Sequence, residues 1–280
     1  MKFKFKIQDY QTDAVDSVIN CFSGQKFSNS ISYRRDIGEV SKNIETNQVS
    51  YGIKSRDYDY INETGFKNED LNLSSNQLLE NITNVQQNNN LIISDSLIGD
   101  IGACSLDIEM ETGTGKTYVY IKTMYELNKK YGWSKFIVIV PSIAIREGVK
   151  KSFKMIEDHF MEIYGKKIRS FVYDSSNLNQ LDSFSSDSGI NVMIINMQAF
   201  NTILNDKGSN KTARIIYSKR DEFGSRRPID VIASNRPILI LDEPQKMGGD
   251  ATQKSLKNFN PLFTLNYSAT HKKIIISYMH

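Results

Sequence analysis

Met110-Glu111-Thr112-Gly113-Thr114-Gly115-Lys116-Thr117 is the stretch on which the fold turns. It closes a strand-like run, Leu106 to Met110, and opens a helical pattern over 117 to 130. Glycines at 113 and 115 let the backbone curl so that several N–H groups and a helix N-terminus face one anion. In a P-loop of this kind Gly113, Thr114 and Gly115 cradle phosphates. Lys116 reaches the outer ones, and the Thr117 hydroxyl ligates Mg²⁺. The general pattern asks for Gly at position 110, where this chain has Met. A Gly-Lys-Thr triplet also arises in ordinary turns, so partner motifs must decide.

The first partner is an acidic one. Pro237-Ile238-Leu239-Ile240-Leu241 is an apolar run that ends in Asp242-Glu243-Pro244-Gln245. At the carboxyl edge of a strand, Asp242 would meet Mg²⁺, and Glu243 would orient or deprotonate the attacking water. An Asp-Glu pair after a strand can equally be a plain turn. A third signal is Gln11, at the head of an amphipathic helical pattern over 9 to 23. A glutamine amide can pair both the donor and the acceptor edge of adenine, though most helical glutamines are simply solvated. The fourth is Ser268-Ala269-Thr270 at the end of the run Phe263 to Tyr267. The order Gln11, Lys116, Asp242, Ser268 makes each of these weak signals persuasive.

Together these motifs resemble superfamily 2 helicases and, more closely, the restriction subunit of type III restriction-modification systems. The likeness lies in Tyr10-Gln11 with Phe22-Ser23-Gly24-Gln25, in Glu109 to Tyr120, in Val140-Pro141-Ser142-Ile143-Ala144-Ile145-Arg146-Glu147-Gly148-Val149, and in Leu241 to Gln245. Met at the first P-loop position and Pro-Gln after the acids are ordinary in that family. The resemblance runs from about residue 5 to about residue 271. It implies an ATP- and Mg²⁺-dependent DNA translocase and helicase, part of a site-specific deoxyribonuclease that works with a methyltransferase subunit. Lys116 and Glu243 would be catalytic, with Gln11 and Gln245 beside the nucleotide. Ser268, Ala269 and Thr270 would couple the nucleotide to the bound strand. Ser142 and Arg146 would touch the sugar-phosphate backbone of double-stranded DNA, although Arg146 could instead pair with Glu147 or Glu157.

In the family a second motor domain and a nuclease domain follow, whereas this sequence stops at His280 and diverges over 272–280. The expectation is a truncated chain that binds nucleotide weakly and turns it over little. Two other readings stay open: a fragment of another superfamily 2 helicase, such as a repair helicase, and an inactive remnant that only binds nucleotide, DNA or its partner.

Composition agrees with a globular chain. Of 280 residues, 39% are hydrophobic and 24% charged, with a net charge of +3 that permits nucleic-acid binding without arguing for it. Cys21 and Cys104 lack metal-ligand spacing, which fits a reducing cytoplasm. His159, His271 and His280 are too scattered for a metal site. No signal peptide is visible in the sequence, and no apolar run reaches the ~18 residues a membrane helix needs. Met1 to Lys6 alternates charge with Phe, as a short exposed strand would.

Strand-like runs at Leu106 to Met110, Phe136 to Val140, Phe171 to Tyr173, Val192 to Ile195, Ile238 to Leu241 and Phe263 to Tyr267 alternate with helical patterns at 117–130, 145–163 and 251–258. Near-continuous β-branched runs mean strands covered on both faces. The expected fold is therefore α/β: a three-layer RecA-like P-loop domain with a mostly parallel central sheet and an irregular N-terminal insertion. Its parts would be the adenine-reading helix (1–24), the insertion (25–104), the RecA-like domain (105–271) and a divergent tail (272–280). The insertion holds one helix, roughly 75 to 89, and reads as a partly ordered lid or docking surface whose Tyr51, Tyr58 and Tyr60 could stack on bases or simply pack. Residues 174–189 read as a flexible loop. Residues 206–236 carry Lys207, Lys211, Arg214, Lys219, Arg220, Arg226, Arg227 and Arg236, either a solvated face or a phosphate-tracking arm.

Overall fold

The computed structural model describes residues 5–38, 63–201, 214–247 and 250–269. Two short strands, β1 (Ile31–Arg34) and β2 (Thr64–Lys67), pair antiparallel. The remaining six are β3 (Ser105–Glu109), β4 (Lys135–Val140), β5 (Arg169–Val172), β6 (Asn191–Asn196), β7 (Ile238–Asp242) and β8 (Thr264–Ser268). They form one sheet in the order β3-β8-β7-β4-β6-β5, and every neighbouring pair is parallel.

Among the described residues the helices are α1 (Asp9–Asn20), α2 (Ser75–Asn88), α3 (Lys116–Tyr131), α4 (Ile143–Tyr164), α5 (Asn179–Ser186), α6 (Pro228–Ala233) and α7 (Asp250–Lys257). Alternation along the strands sends Phe136, Val138, Val140, Ile194, Ile240 and Leu265 into one core with residues of α1 to α4. Ile137, Ile139, Met193, Ile195, Leu239 and Leu241 enter a second core with residues of α5, α6 and α7. Every residue of β4, β6 and β7 is buried, as two covered faces require. The fold is the expected three-layer α/β domain with a parallel sheet.

The described part of the insertion settles on the amino ends of the strands, opposite the glycine turn. Asn68, 1% exposed, is its anchor. Its Oδ1 accepts from the backbone N–H of Ser134 (2.8 Å) and Lys135 (3.0 Å), while Nδ2 donates to the carbonyls of Lys135 and Arg236, both at 2.9 Å. All four bonds of the amide are made, which is what burial demands of it. Gly132 ends α3 at φ +83°, and a Cβ there would lie 1.9 Å from the Ser28 carbonyl oxygen. Only glycine lets the inserted chain approach so closely. The parts of the insertion around Ser28 and Asn68 thus lie at the base of the sheet, while α2 packs against α1. Tyr51, Tyr58 and Tyr60 lie outside the described residues.

Two expected loops contain helices. Within 174–189, α5 forms because Leu178, Leu181 and Phe184 recur every third residue and are buried. Lys135, with its side chain under the sheet, donates to the Phe184 carbonyl at 2.6 Å and to that of Asp187, holding the end of α5. Within 206–236, α6 starts on Pro228, which suits a first helical turn. Three of the arginines there are paired with carboxylates, and of these Arg227 stays exposed. Arg226 is buried and grips Asp182 with Nη1 and Nη2, both at 2.9 Å. Arg227 pairs with Asp230 at 2.6 Å and Arg236 with Asp70 at 2.7 Å. Lys207 and Lys211 lie outside the described residues, as do Met1 to Lys4; Phe5 and Lys6 are not in a strand.

Cys21 and Cys104 are free and buried, and burial pushes the Cys21 thiol up to about 12. Among the described residues, no helix is long and apolar enough to cross a membrane.

Candidate nucleotide site

The site lies at the carboxyl ends of β3, β7 and β8, where parallel α/β sheets gather ligands. Strand β8 lies between β3 and β7, so the glycine turn and the acid pair flank one strand. Met110, 2% exposed, sits in the core beneath the turn and its N–H donates to the Ser268 carbonyl at 2.9 Å. Gly113 and Gly115 take φ +89° and +87°. A Cβ at Gly113 would meet nothing within 4 Å, so the turn's concave side is open.

Helix α1 braces this turn. The Thr114 carbonyl accepts from Gln11 Nε2 at 2.9 Å and from Tyr10 OH at 3.1 Å. Gln11 is nearly buried, so it is not a solvated helical glutamine. Its Nε2 is committed to the turn and also reaches the Tyr10 hydroxyl at 3.5 Å, and Oε1 remains for a base. The sequence reading passed over Tyr10 as a site residue, although it precedes Gln11 in a quoted motif.

Across β8, Glu243 adopts φ 58°, ψ 59°, a left-handed conformation uncommon outside glycine. The Tyr267 carbonyl holds its N–H at 2.8 Å. That conformation turns the carboxylate toward the glycine turn: Lys116 Nζ lies 3.0 Å from Glu243 Oε1 and donates to the Met110 carbonyl at 3.4 Å. Gln245 Nε2 donates to Glu243 Oε2 at 2.5 Å, and Ser268 Oγ donates to Gln245 Oε1 at 2.8 Å. A continuous polar chain therefore joins Ser268, Gln245, Glu243 and Lys116. The Lys116 side chain is only 12% exposed because Glu243 covers it. Ala269 follows Ser268 at the rim, and Thr270 lies outside the described residues.

The two acids differ electrostatically. Asp242 is pushed up to about 6, by burial first and then by Glu243, against the pull of Lys116 and Lys246. Burial also works upward on Glu243, but hydrogen bonds from Lys116 and Gln245 and the charge of Lys246 outweigh it, and its carboxyl stays below the usual range. A proton shared with the pair therefore resides on Asp242.

The residues present fit a magnesium-bound triphosphate. The Thr117 hydroxyl and the Asp242 carboxylate are hard oxygen donors, the kind Mg²⁺ takes in ones and twos while keeping water and substrate phosphates. Beneath them the fully buried Tyr120 hydroxyl has both Thr117 and Asp242 as neighbours: the Asp242 carboxylate adds to the upward push of burial on its ionisation, and a hydrogen bond with Thr117 opposes it.

A second rim follows β4 and β6. Ser142 caps α4, its Oγ accepting from the Ile145 N–H at 3.4 Å. Arg146 pairs with Glu147 at 3.0 Å rather than with Glu157, and donates from Nη1 to Asn196 Oδ1 at 3.0 Å. Asn196 Nδ2 donates to Gln198 Oε1 at 2.8 Å, and Gln198 Nε2 to the Pro141 carbonyl at 3.1 Å. These bonds stitch the loops after β4 and β6 into one surface.

Sheet order, glycine turn and acid pair define a P-loop-type α/β domain with a parallel sheet. The family described as "Type III restriction enzyme, res subunit" matches residues 4–273, and the chain belongs to that family. Among curated relatives, it is 32% identical over 217 residues to the Res subunit of the type III restriction-modification enzyme EcoP15I from Escherichia coli, covering 72% of this chain and 22% of that protein. The EcoPI Res subunit of Escherichia phage P1 is likewise 32% identical, over 219 residues, with 72% and 22% covered. The chain thus spans about a fifth of the length of the curated relatives it matches. Of solved structures, the Sulfolobus solfataricus SWI2/SNF2 ATPase core in complex with dsDNA is a distant likeness, with TM-score 0.38 and 12% identity over 59% of this chain and 28% of that one.

Proposed function

We propose that the chain is the ATP-binding motor domain of a type III restriction endonuclease subunit, an ATP-dependent DNA translocase and helicase. The observation that carries the reading is the meeting of Lys116 and Glu243 at 3.0 Å from loops far apart in sequence. In this reading Gly113, Thr114, Gly115 and the N-terminus of α3 hold the phosphates, and Gln11 pairs with adenine while bracing the turn. Lys116 leaves Glu243 for the outer phosphates. Freed of the ammonium, the Glu243 carboxylate accepts a proton from the attacking water, held in place by Gln245. Thr117 and Asp242 hold Mg²⁺, which supplies charge neutralisation for the phosphates. Ser268 and Ala269, with Thr270, report the state of Glu243 to the bound strand through Gln245.

Ser142 and Arg146 contact the backbone of double-stranded DNA, and a methyltransferase subunit supplies sequence choice, as the family membership supports. The reducing fate of two free thiols suits a cytoplasmic protein.

The test is binding of a non-hydrolysable ATP analogue as Mg²⁺ is added. The reading expects affinity to rise at least ~10-fold with the metal, and hydrolysis, in the longest form of the protein that shows it, to vanish in Glu243→Gln. No nucleotide binding with or without Mg²⁺ would overturn it.

A further inference from the structure

In the inserted basic segment Arg226, Arg227 and Arg236 are engaged by Asp182, Asp230 and Asp70. A different set of cations is left unengaged. Lys150, Lys151 and Lys154 are exposed on the first half of α4 and make no ion pair among the described residues. Of the acids one helical turn away, Glu147 is taken by Arg146 at 3.0 Å and Glu157 by Lys167 at 2.8 Å, and Asp158, four residues after Lys154, forms no ion pair with it. Lys150 and Lys154 stand one turn apart, as do Lys151 and Lys154, spacings at which like charges disfavour a helix. Neither does the helix dipole reward cations there, since it favours them at the last turn. Helix stability therefore does not account for these three residues.

Their surroundings point to a ligand recognised by charge. A groove of about 780 Å³ between α4 and the edge strand β5 is lined by Lys150, Lys151, Lys154, Phe153 and Ser170. Phe153 and Ile156 on its floor are 6% and 5% exposed, and the acids that also line it, Glu147 and Glu157, are already paired with Arg146 and Lys167, so the charge left on its rim is positive. Lys150 also lines a second cavity, of about 650 Å³, with Arg146, Asn196 and Gln198. The lateral groove is thereby continuous with the stitched rim after β4 and β6. Arg146, Lys150 and Lys154 recur every fourth residue, a stripe about 12 Å long at helical rise.

We propose that the Lys150, Lys151 and Lys154 face of α4 is a backbone-phosphate contact for double-stranded DNA, extending the rim contacts along the flank of the domain. This rests on the DNA-motor reading. The ammonium groups would each neutralise a phosphate and carry no sequence preference.

The experiment is binding of a fluorescent 30-base-pair duplex of random sequence to the full chain over a range of NaCl concentrations. The wild type is compared with Lys150→Gln/Lys151→Gln/Lys154→Gln and with Lys254→Gln/Lys257→Gln, two exposed lysines of α7 away from the groove. Loss of three phosphate contacts should lower the steepness of log K against log salt by about 2–3, and weaken binding at low salt by at least ~10-fold, while the α7 variant keeps most of both. Circular dichroism and ATP-analogue affinity should match wild type in all three. Wild-type binding that the triple variant reproduces in affinity and salt slope would overturn the proposal while leaving the motor reading intact. A triple variant that keeps DNA binding but loses binding to a polyglutamate probe would overturn it in favour of an acidic protein partner. If the wild type binds no duplex at all, the DNA part of the motor reading falls with it.

Discussion

Lys116 Nζ and Glu243 Oε1 stand 3.0 Å apart, each side chain roughly seven-eighths covered, at 12% and 14% exposure. The group proposed to grip phosphate and the group proposed to activate water are thus each other's counter-ion. A charge-assisted bond of this kind contributes on the order of 1–3 kcal/mol, and triphosphate must compete with it. Glu243→Gln removes the competitor and leaves Lys116 free. The expected outcome is an ATP-analogue affinity about 3- to 10-fold tighter than wild type, equivalent to about 1 kcal/mol, read by fluorescence titration. Weaker binding in that variant would mean that the carboxylate helps to hold nucleotide.

Asp242 makes the apo domain sensitive to pH. Its carboxyl titrates near 3.8 when unfolded and about 6 when folded. Between those values the folded state keeps a proton that the unfolded state has released, so stability falls as pH rises through the window. Complete ionisation costs on the order of 2–3 kcal/mol. Asp242→Asn should therefore stabilise the metal-free protein by about 1–3 kcal/mol above pH 7, flatten its thermal midpoint between pH 4 and 6, and abolish the Mg²⁺ response. A variant no more stable than wild type at pH 8 would refute this burial effect.

Gln11 has two tasks in the account, bracing the Thr114 carbonyl at 2.9 Å and pairing with adenine. Gln11→Ala should weaken ATP and GTP binding alike by a few-fold through the loosened turn, about 1 kcal/mol for one lost bond. It should also erase any preference of ATP over GTP. A wild-type preference that survives the substitution would leave Gln11 as a brace only.

The Arg226–Asp182 pair ties α5 to the chain before α6, with Arg226 also donating to the Asp36 carbonyl at 2.8 Å and stacking on Phe223 at 4.0 Å. Arg226→Ala leaves the Asp36 carbonyl unserved and Asp182 with Arg35, at 2.9 Å, as its remaining partner, at an expected cost of about 1–3 kcal/mol. Arg227→Ala breaks an exposed pair and should cost about 0–1 kcal/mol. Urea denaturation of both variants checks the contrast; equal losses would contradict the burial argument.

Much of this was legible in sequence because the signals are local. The run Phe136 to Val140 announces a doubly covered strand, and the glycines at 113 and 115 announce a turn that only they can make. Whatever depends on distant partners was not legible. Helix α5 hides in a Ser- and Asn-rich stretch because its stability comes from Leu181 and Phe184 meeting the sheet and from Lys135 holding its end. Arg226 resembles a surface charge until Asp182, 44 residues earlier, is brought to it. Asn68 gives no hint that it will satisfy four backbone groups at the base of β4 and β7. At the site the residue types were readable, but the screening of Lys116 by Glu243 was not, since it depends on a left-handed glutamate turning back across β8.

The central claim is that Lys116 is the phosphate-binding cation of this domain. Calorimetric titration of a magnesium-bound ATP analogue into wild type and Lys116→Ala, with circular dichroism to confirm an unchanged fold, tests it most directly. The account expects the variant to lose at least ~100-fold in affinity, near the 3 kcal/mol upper range for a charged hydrogen bond. Equal affinity in two equally folded proteins would contradict it.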